Sequence, residues 1–134
     1  MTANSPPARA RPPRETPNAT LLSDYARIRA ESEALCLPLA VEDYGVQTSP
    51  HVSPTKWHLA HTAWFFETMV LEPYLPGYPE FHPLFAYLFN SYYETVGSFH
   101  PRPERGLLSR PTVQEVYRYR AHVDQHMTTL LARR

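Results

Sequence analysis

The sequence is poor in cysteine, with one such residue in 134, and no hydrophobic run is long enough to span a membrane. Cys36 has no partner for an internal disulfide, which agrees with a reducing compartment. A bilayer-spanning helix needs about 20 consecutive apolar residues, and the N-terminus also lacks the apolar core of a signal peptide. We therefore expect a soluble, cytoplasmic protein with no membrane partner.

Net charge is missing as well, because 13 Lys and Arg residues balance 13 Asp and Glu residues. A chain without net charge has no field that would attract nucleic acid, so we expect no such partner. Strand signals are also absent: no segment alternates apolar and polar residues, and no hairpin turn separates two apolar runs. These absences predict an all-α fold, and the length fits one domain.

Proline, by contrast, is abundant, with 15 residues that divide the chain. Residues 1–19 combine prolines with arginines and few apolar side chains, which predicts a disordered Pro/Arg-rich tail. From residue 20 onward the pattern changes to helical segments separated by proline-containing connections. We therefore predict a helical domain over residues 20–134, incomplete at its C-terminus.

Three segments repeat apolar residues every three or four positions, which is typical of amphipathic helices. The first runs from Thr20 to Pro38. Its predicted apolar face consists of Leu21, Leu22, Tyr25, Ile28, Ser32, Leu35 and Cys36, with Arg27, Arg29, Glu31 and Glu33 on the opposite side.

The second segment, 53–71, begins with Ser53 as the predicted N-cap and Pro54 at the first helical position. The third begins after Thr112, where Glu115 completes a capping box, and its apolar stripe is Val116, Tyr119, Val123, Met127 and Leu130. A short buried helix is predicted within 84–94.

Long helices joined by long connections indicate an up-down helical bundle, and such bundles usually close with four helices. The last segment reaches Arg134 without a C-cap glycine. We therefore predict a bundle that lacks all or part of its last helix. Its uncovered apolar face would favour self-association or completion by another chain.

His61 is the most informative residue of the second helix. It shares a helical face with Trp57, Ala60, Trp64, Phe65 and Thr68. An imidazole in such an aromatic surrounding is either a core histidine with a hydrogen-bond partner or a metal ligand. Periodicity does not decide between these alternatives.

His122 and His126 form an H-x-x-x-H pair on one face of the last helix. Together with His61 they could hold a divalent metal and leave positions open. At about 100° per residue, His126 lies roughly 60° and His122 roughly 100° from Val123 at the centre of the stripe, so His122 is expected to point outward. Two solvated surface histidines would show the same spacing.

Arg102 and Arg105 lie three residues apart in a proline-bounded loop. A guanidinium offers a bidentate fork for carboxylates, so this pair could clamp an acidic ligand. Loop arginines are also commonly solvated, and the spacing alone leaves both interpretations open.

Three stretches, SPTKWHLAHTAWFFET, YLFNSYYETVG and RPERGLLSRPTVQEVYRYRAHVD, resemble in this order the N-terminal DinB-like domain of the ergothioneine-biosynthesis sulfoxide synthases, the EgtB-type family. The resemblance covers most of residues 20–130. It implies a DinB-like helical bundle followed by a formylglycine-generating-enzyme-like domain. It also implies a non-haem iron(II) enzyme that uses oxygen to couple cysteine or γ-glutamylcysteine to hercynine, giving a sulfoxide.

Carried onto this chain, the resemblance implies that His61 in WHLAH is an iron ligand. It implies that Arg102 and Arg105 bind the carboxylate of the thiol substrate. The other family ligands belong to a motif similar to HHEQQHQE, and the chain ends before such a motif, so His122 and His126 remain local candidates. We expect the chain alone to be inactive. The alternative is a non-catalytic DinB-like module acting in metal binding or protein association.

Overall fold

The structure is a computed structural model that describes residues 17–133, and within them it contains helices and no strand. The α-helices are α1 Pro17–Ala34, α2 Thr55–Phe66, α3 Glu72–Tyr74, α4 Phe85–Phe89 and α5 Val113–Leu131. A π-helical segment, Glu67–Leu71, joins α2 to α3, and 3₁₀ turns occupy Val41–Gly45 and Arg102–Leu107. The all-α prediction is confirmed. None of the described helices is long and apolar enough to cross a membrane.

The boundary between tail and domain differs from the prediction at residue 20. Helix α1 begins at Pro17, since proline is well suited to a first helical position, and residues 17–19 are therefore helical. Residues 1–16, the rest of the predicted tail, lie outside the described residues. Asn18 Nδ2 donates to the Arg133 carbonyl at 2.9 Å, which places the start of α1 beside the end of α5.

The buried face of α1 is rotated from the predicted one. Leu21, Ile28 and Leu35, predicted to be internal, are exposed. Arg29, predicted to be external, is buried, because its Nε donates to Asp124 of α5 at 2.7 Å. The assignment of Arg29 to the outer side is therefore wrong, since an ion pair between two helices leaves no signal in the period of one of them.

The second helix is continuous from Thr55 to Tyr74, but its start and interior differ from the prediction. Its N-cap is Pro54 rather than Ser53. At Glu67 the chain enters the π-helical segment, and the carboxylate there is buried. Tyr119 Oη donates to it at 2.7 Å, and Tyr78 donates as well. Glu67 thus joins α2 to α5 and to the connection after α3.

The short helix predicted within 84–94 and the predicted start of the last helix had different outcomes. The helix predicted within 84–94 is shorter, because Asn90 leaves the helical conformation and its buried side chain bonds to backbone groups of Tyr93 and Gly97. The capping box of α5 is present as predicted, with Thr112 Oγ1 accepting from the Glu115 amide at 3.1 Å. Helix α5 ends at Leu131.

The core is formed mainly where α2 crosses α5. On α2 the predicted aromatic face is internal at Trp57, Ala60 and Trp64, whereas Phe65 is 38% exposed. On α5 the predicted stripe is confirmed, with Val116, Tyr119, Val123 and Met127 buried. Aromatic side chains of the proline-rich connection and of α4 fill the remaining space, among them Phe81, Phe85 and Phe89.

Arg120 occupies the centre of this bundle and has no exposed surface. Its Nε donates to Glu33 at 2.9 Å, and its Nη2 donates to the Arg29 carbonyl at 3.2 Å. Its Nη1 donates to the Leu59 carbonyl at 3.0 Å and to Thr62 Oγ1 at 2.9 Å. One guanidinium therefore connects α1, α2 and α5.

Replacement of Arg120 by methionine should lower the free energy of unfolding by about 3 kcal/mol, because it removes a buried guanidinium with its ion pair to Glu33 and its hydrogen bonds to α1 and α2. Urea denaturation followed by circular dichroism measures this loss. The control is Arg118→Met, an exposed position on the same helix, which should change stability by less than about 0.5 kcal/mol. Equal losses in the two variants would contradict the role given to Arg120.

Candidate functional site

The His61 ring is half-buried and lies against two tryptophans. It stacks on Trp57 with ring centroids 4.6 Å apart and on Trp64 at 5.4 Å. Its Nδ1 lies 2.6 Å from the carbonyl oxygen of Phe89, at the end of α4. Because a carbonyl only accepts, Nδ1 carries the proton and the lone pair is on Nε2. This hydrogen bond fixes the ring in the way that backbone carbonyls orient metal-ligating histidines.

The charge state of His61 follows from the same surroundings. Burial lowers its pKa, the hydrogen bond to Phe89 opposes this shift, and the positive charge of Arg105 lowers the pKa further. A lowered pKa favours the neutral imidazole, and only the neutral ring offers a lone pair. Both alternatives left open by the sequence are thus compatible with this position: the ring has a partner at Nδ1 and a free Nε2.

Arg105 is the second central residue of the site and is only 2% exposed. Its guanidinium carbon lies 3.6 Å from the centre of the Trp57 ring, and its Nη1 donates to Ser53 Oγ at 2.9 Å. Its Nε and Nη2 are buried and have no hydrogen-bond partner. Burial, followed by the charge of Arg102, lowers the pKa of Arg105 to about 10. An acceptor with two oxygens, such as a carboxylate, would satisfy these free N–H groups.

Further positive charge lies around the start of α2. Lys56 is buried, and its Nζ donates to the Leu108 carbonyl at 2.9 Å. Burial and then the charge of Arg110 lower the pKa of Lys56. Arg102 lies over the Tyr92 ring at 4.8 Å. Within residues 17–133 the ion pairs involve Arg27, Arg29 and Arg120, and none of them includes a cation of this site. The charge of Glu115 acts on Lys56 and opposes the lowering of its pKa. An anionic ligand is therefore the expected partner of the site.

The space beside Arg105 is small in this conformation. A cavity of about 10 Å³ lies between Lys56, Trp57, Phe89 and Arg105. A single water molecule needs about 10–15 Å³. A larger ligand therefore requires movement of the side chains around this cavity.

His122 and His126 are not part of this site. Both are half-buried, so the outward direction predicted for His122 is not observed, and both rings lie against Tyr78 at 5.5 and 5.1 Å. Across the described part of the chain, no three His, Cys, Asp or Glu side chains are grouped so that they could hold a metal ion. The structure thus does not bring His61 together with the histidine pair.

The burial of two charged residues, one in the site and one elsewhere in the core, has no counterpart in the sequence analysis. The burial of Lys56 depends on the loop that carries Leu108, and sequence spacing gives no information on that contact. The burial of Glu67, which accepts from two tyrosines, could have been predicted from the sequence. It lies three residues after Trp64 and four after Ala63, on the internal face of the helix. An acidic residue on such a face requires partners when it is buried.

A family model described as DinB superfamily matches residues 24–133, a range that contains His61, both loop arginines and the histidine pair of α5. No match was found among the curated proteins. The match supports the helical fold and carries no assignment of substrate or reaction.

Replacement of Arg105 by methionine should leave stability unchanged or increase it, because burial disfavours the charged guanidinium and two of its N–H groups are unpaired. Arg120→Met is the matched comparison, since Arg120 is equally buried but fully paired. Urea denaturation should separate the two variants by about 3 kcal/mol. An equally large loss in Arg105→Met would show that Arg105 serves mainly to stabilise the fold.

Proposed function

This chain belongs to the DinB superfamily, and we propose that it forms the N-terminal portion of a non-haem iron(II), oxygen-dependent sulfoxide synthase. The enzyme would join cysteine or γ-glutamylcysteine to hercynine in ergothioneine biosynthesis. One observation carries the proposal: Trp57 contacts both His61, which has a free Nε2, and Arg105, which has two nitrogens without a hydrogen-bond partner. A candidate metal ligand and a hydrogen-bond donor for a carboxylate thus contact the same indole ring.

The described residues fit one iron ligand and not a complete set. His61 offers a neutral imidazole with a fixed tautomer, as a ligand requires. Non-haem iron sites use several protein ligands, and residues 17–133 contain no group of three. The missing ligands would have to come from beyond the described residues. When bound, iron would supply oxygen activation.

The contribution of this chain is then to bind and orient the thiol substrate. Arg105 would pair with the substrate carboxylate through Nε and Nη2, while Ser53 holds Nη1. Arg102 and Lys56 would add positive charge and strengthen the attraction for an anion. Because the cavity beside Arg105 is about 10 Å³, the substrate would enter only as the side chains that line it move.

The purified chain alone, given hercynine, γ-glutamylcysteine, oxygen and Fe(II), should form no sulfoxide, because it supplies a single ligand. Addition of a polypeptide with an HHEQQH-like motif and the second domain should restore product formation, followed by mass spectrometry. In that mixture His61→Ala should reduce kcat at least about 100-fold. Arg105→Lys should raise KM for the thiol about tenfold with little change in kcat, since it keeps the charge and loses the fork.

The control is His51→Gln, an exposed histidine in the loop before α2, which should leave both constants unchanged. Turnover by the unmodified chain alone would contradict the proposal. Restored turnover that tolerates His61→Ala would contradict it equally.

A second candidate function is a non-catalytic DinB-like module that associates with other proteins. The observation in its favour is the row of exposed apolar residues along α1 and the turn directly after it, in which Leu21, Ile28 and Leu35 recur every seven residues and are 55%, 53% and 81% exposed. Such a row is typical of a helix that packs against a partner.

If α1 mediates association, Ile28→Lys should shift the chain towards monomer in sedimentation velocity, because it places a charge in the middle of the row. His61→Ala and Arg105→Lys should not change the sedimentation coefficient. A monomer at all concentrations for the unmodified chain would contradict self-association through this face.

A further inference from the structure

His122 and His126 lie one turn apart on α5 with ring centroids 4.4 Å apart. One nitrogen of each ring is already bonded. His122 Nε2 lies 2.8 Å from the Pro79 carbonyl oxygen, and His126 Nδ1 lies 2.7 Å from the carbonyl oxygen of His122. Since carbonyls only accept, these two nitrogens carry the protons. The free lone pairs are therefore on His122 Nδ1 and His126 Nε2.

We propose that His122 and His126 form a two-histidine binding site for Zn²⁺ that is separate from the site at His61. Imidazole nitrogen is a preferred ligand of this ion. Each ring also donates its other N–H to a backbone carbonyl, which fixes the tautomer and the ring orientation as in known metal sites.

The ring spacing agrees with a shared ion. With a nitrogen–zinc distance of about 2.1 Å, each ring centre lies about 3.2 Å from the ion, and coordination angles of about 90–110° then separate the centres by about 4.5–5.2 Å. The observed 4.4 Å is just below this range, so the two rings would move slightly apart to share an ion.

The surroundings favour a cation. Tyr78 lies against both rings and Phe81 lies 5.3 Å from His122, so the imidazoles are held in place on one side. The Tyr78 hydroxyl is occupied by Glu67. The Glu67 carboxylate therefore places negative charge on the Tyr78 side of the pair.

Water would complete the coordination, because no described third side chain joins the pair. The bound ion would also have a structural consequence. It would hold His122 in the orientation that bonds Pro79, and so fix the connection between α3 and α4 to α5.

Isothermal titration calorimetry of the purified chain with Zn²⁺ at pH 7.5 tests the proposal. We expect one ion per chain, and we expect His122→Gln and His126→Gln each to weaken binding at least tenfold, since each removes one of two ligands. His51→Gln, an exposed control, and His61→Gln should bind as the unmodified chain does. Circular dichroism of each variant confirms that the helices are retained.

Absence of Zn²⁺ binding by the unmodified chain would overturn the proposal. Binding that survives both His122→Gln and His126→Gln would overturn it as well. Loss of binding in His61→Gln alone would also overturn it, and would assign the ion to the site of the proposed function instead. The two proposals therefore fail on different variants.

Discussion

The guanidinium of Arg120 lies where α1, α2 and α5 meet, and the rest of the bundle is arranged around it. A buried cation is tolerated only when its donors are paired, and Arg120 obtains its partners from both neighbouring helices. Two of those partners, the Arg29 carbonyl and Glu33, belong to α1 and fix its rotation. Arg29 then reaches Asp124, and the apolar residues Leu21, Ile28 and Leu35 are turned to the surface.

Arg105 is the opposite case in the same fold. It is buried almost as completely as Arg120, yet it has one hydrogen-bond partner, and its Nε and Nη2 have none. Buried polar groups without partners are rare because each costs free energy, and natural proteins keep them mainly where function requires them. The cost at Arg105 is partly offset by contact with Trp57. A ligand that supplies hydrogen-bond acceptors would remove the remaining free-energy cost. The unpaired donors of Arg105 therefore favour a role in ligand binding.

The sequence predicted those features that depend on neighbouring residues along the chain. The capping box at Thr112 and Glu115, the stripe of α5 and the aromatic face around His61 all follow from spacing within one helix. The features it missed depend on contacts between distant segments. The rotation of α1 depends on Asp124 and Arg120, the burial of Lys56 depends on the Leu108 carbonyl, and the early end of α4 depends on the hydrogen bonds of Asn90. The sequence spacing placed Arg105 in a loop but gave no information on its burial. Its unpaired donors result from packing against distant residues, which spacing does not show.

The histidines of the chain differ in whether a second possible metal ligand lies beside them. His61 has a fixed tautomer and a free Nε2, but it stands alone among the described residues as a ligand. His122 and His126 lie one turn apart on one helix, so an ion that binds one ring has the second close by. A single imidazole competes poorly with water for a metal, whereas two neighbouring imidazoles can bind it together. We therefore expect metal binding by this chain to depend on α5, and metal binding at His61 to require ligands beyond the described residues.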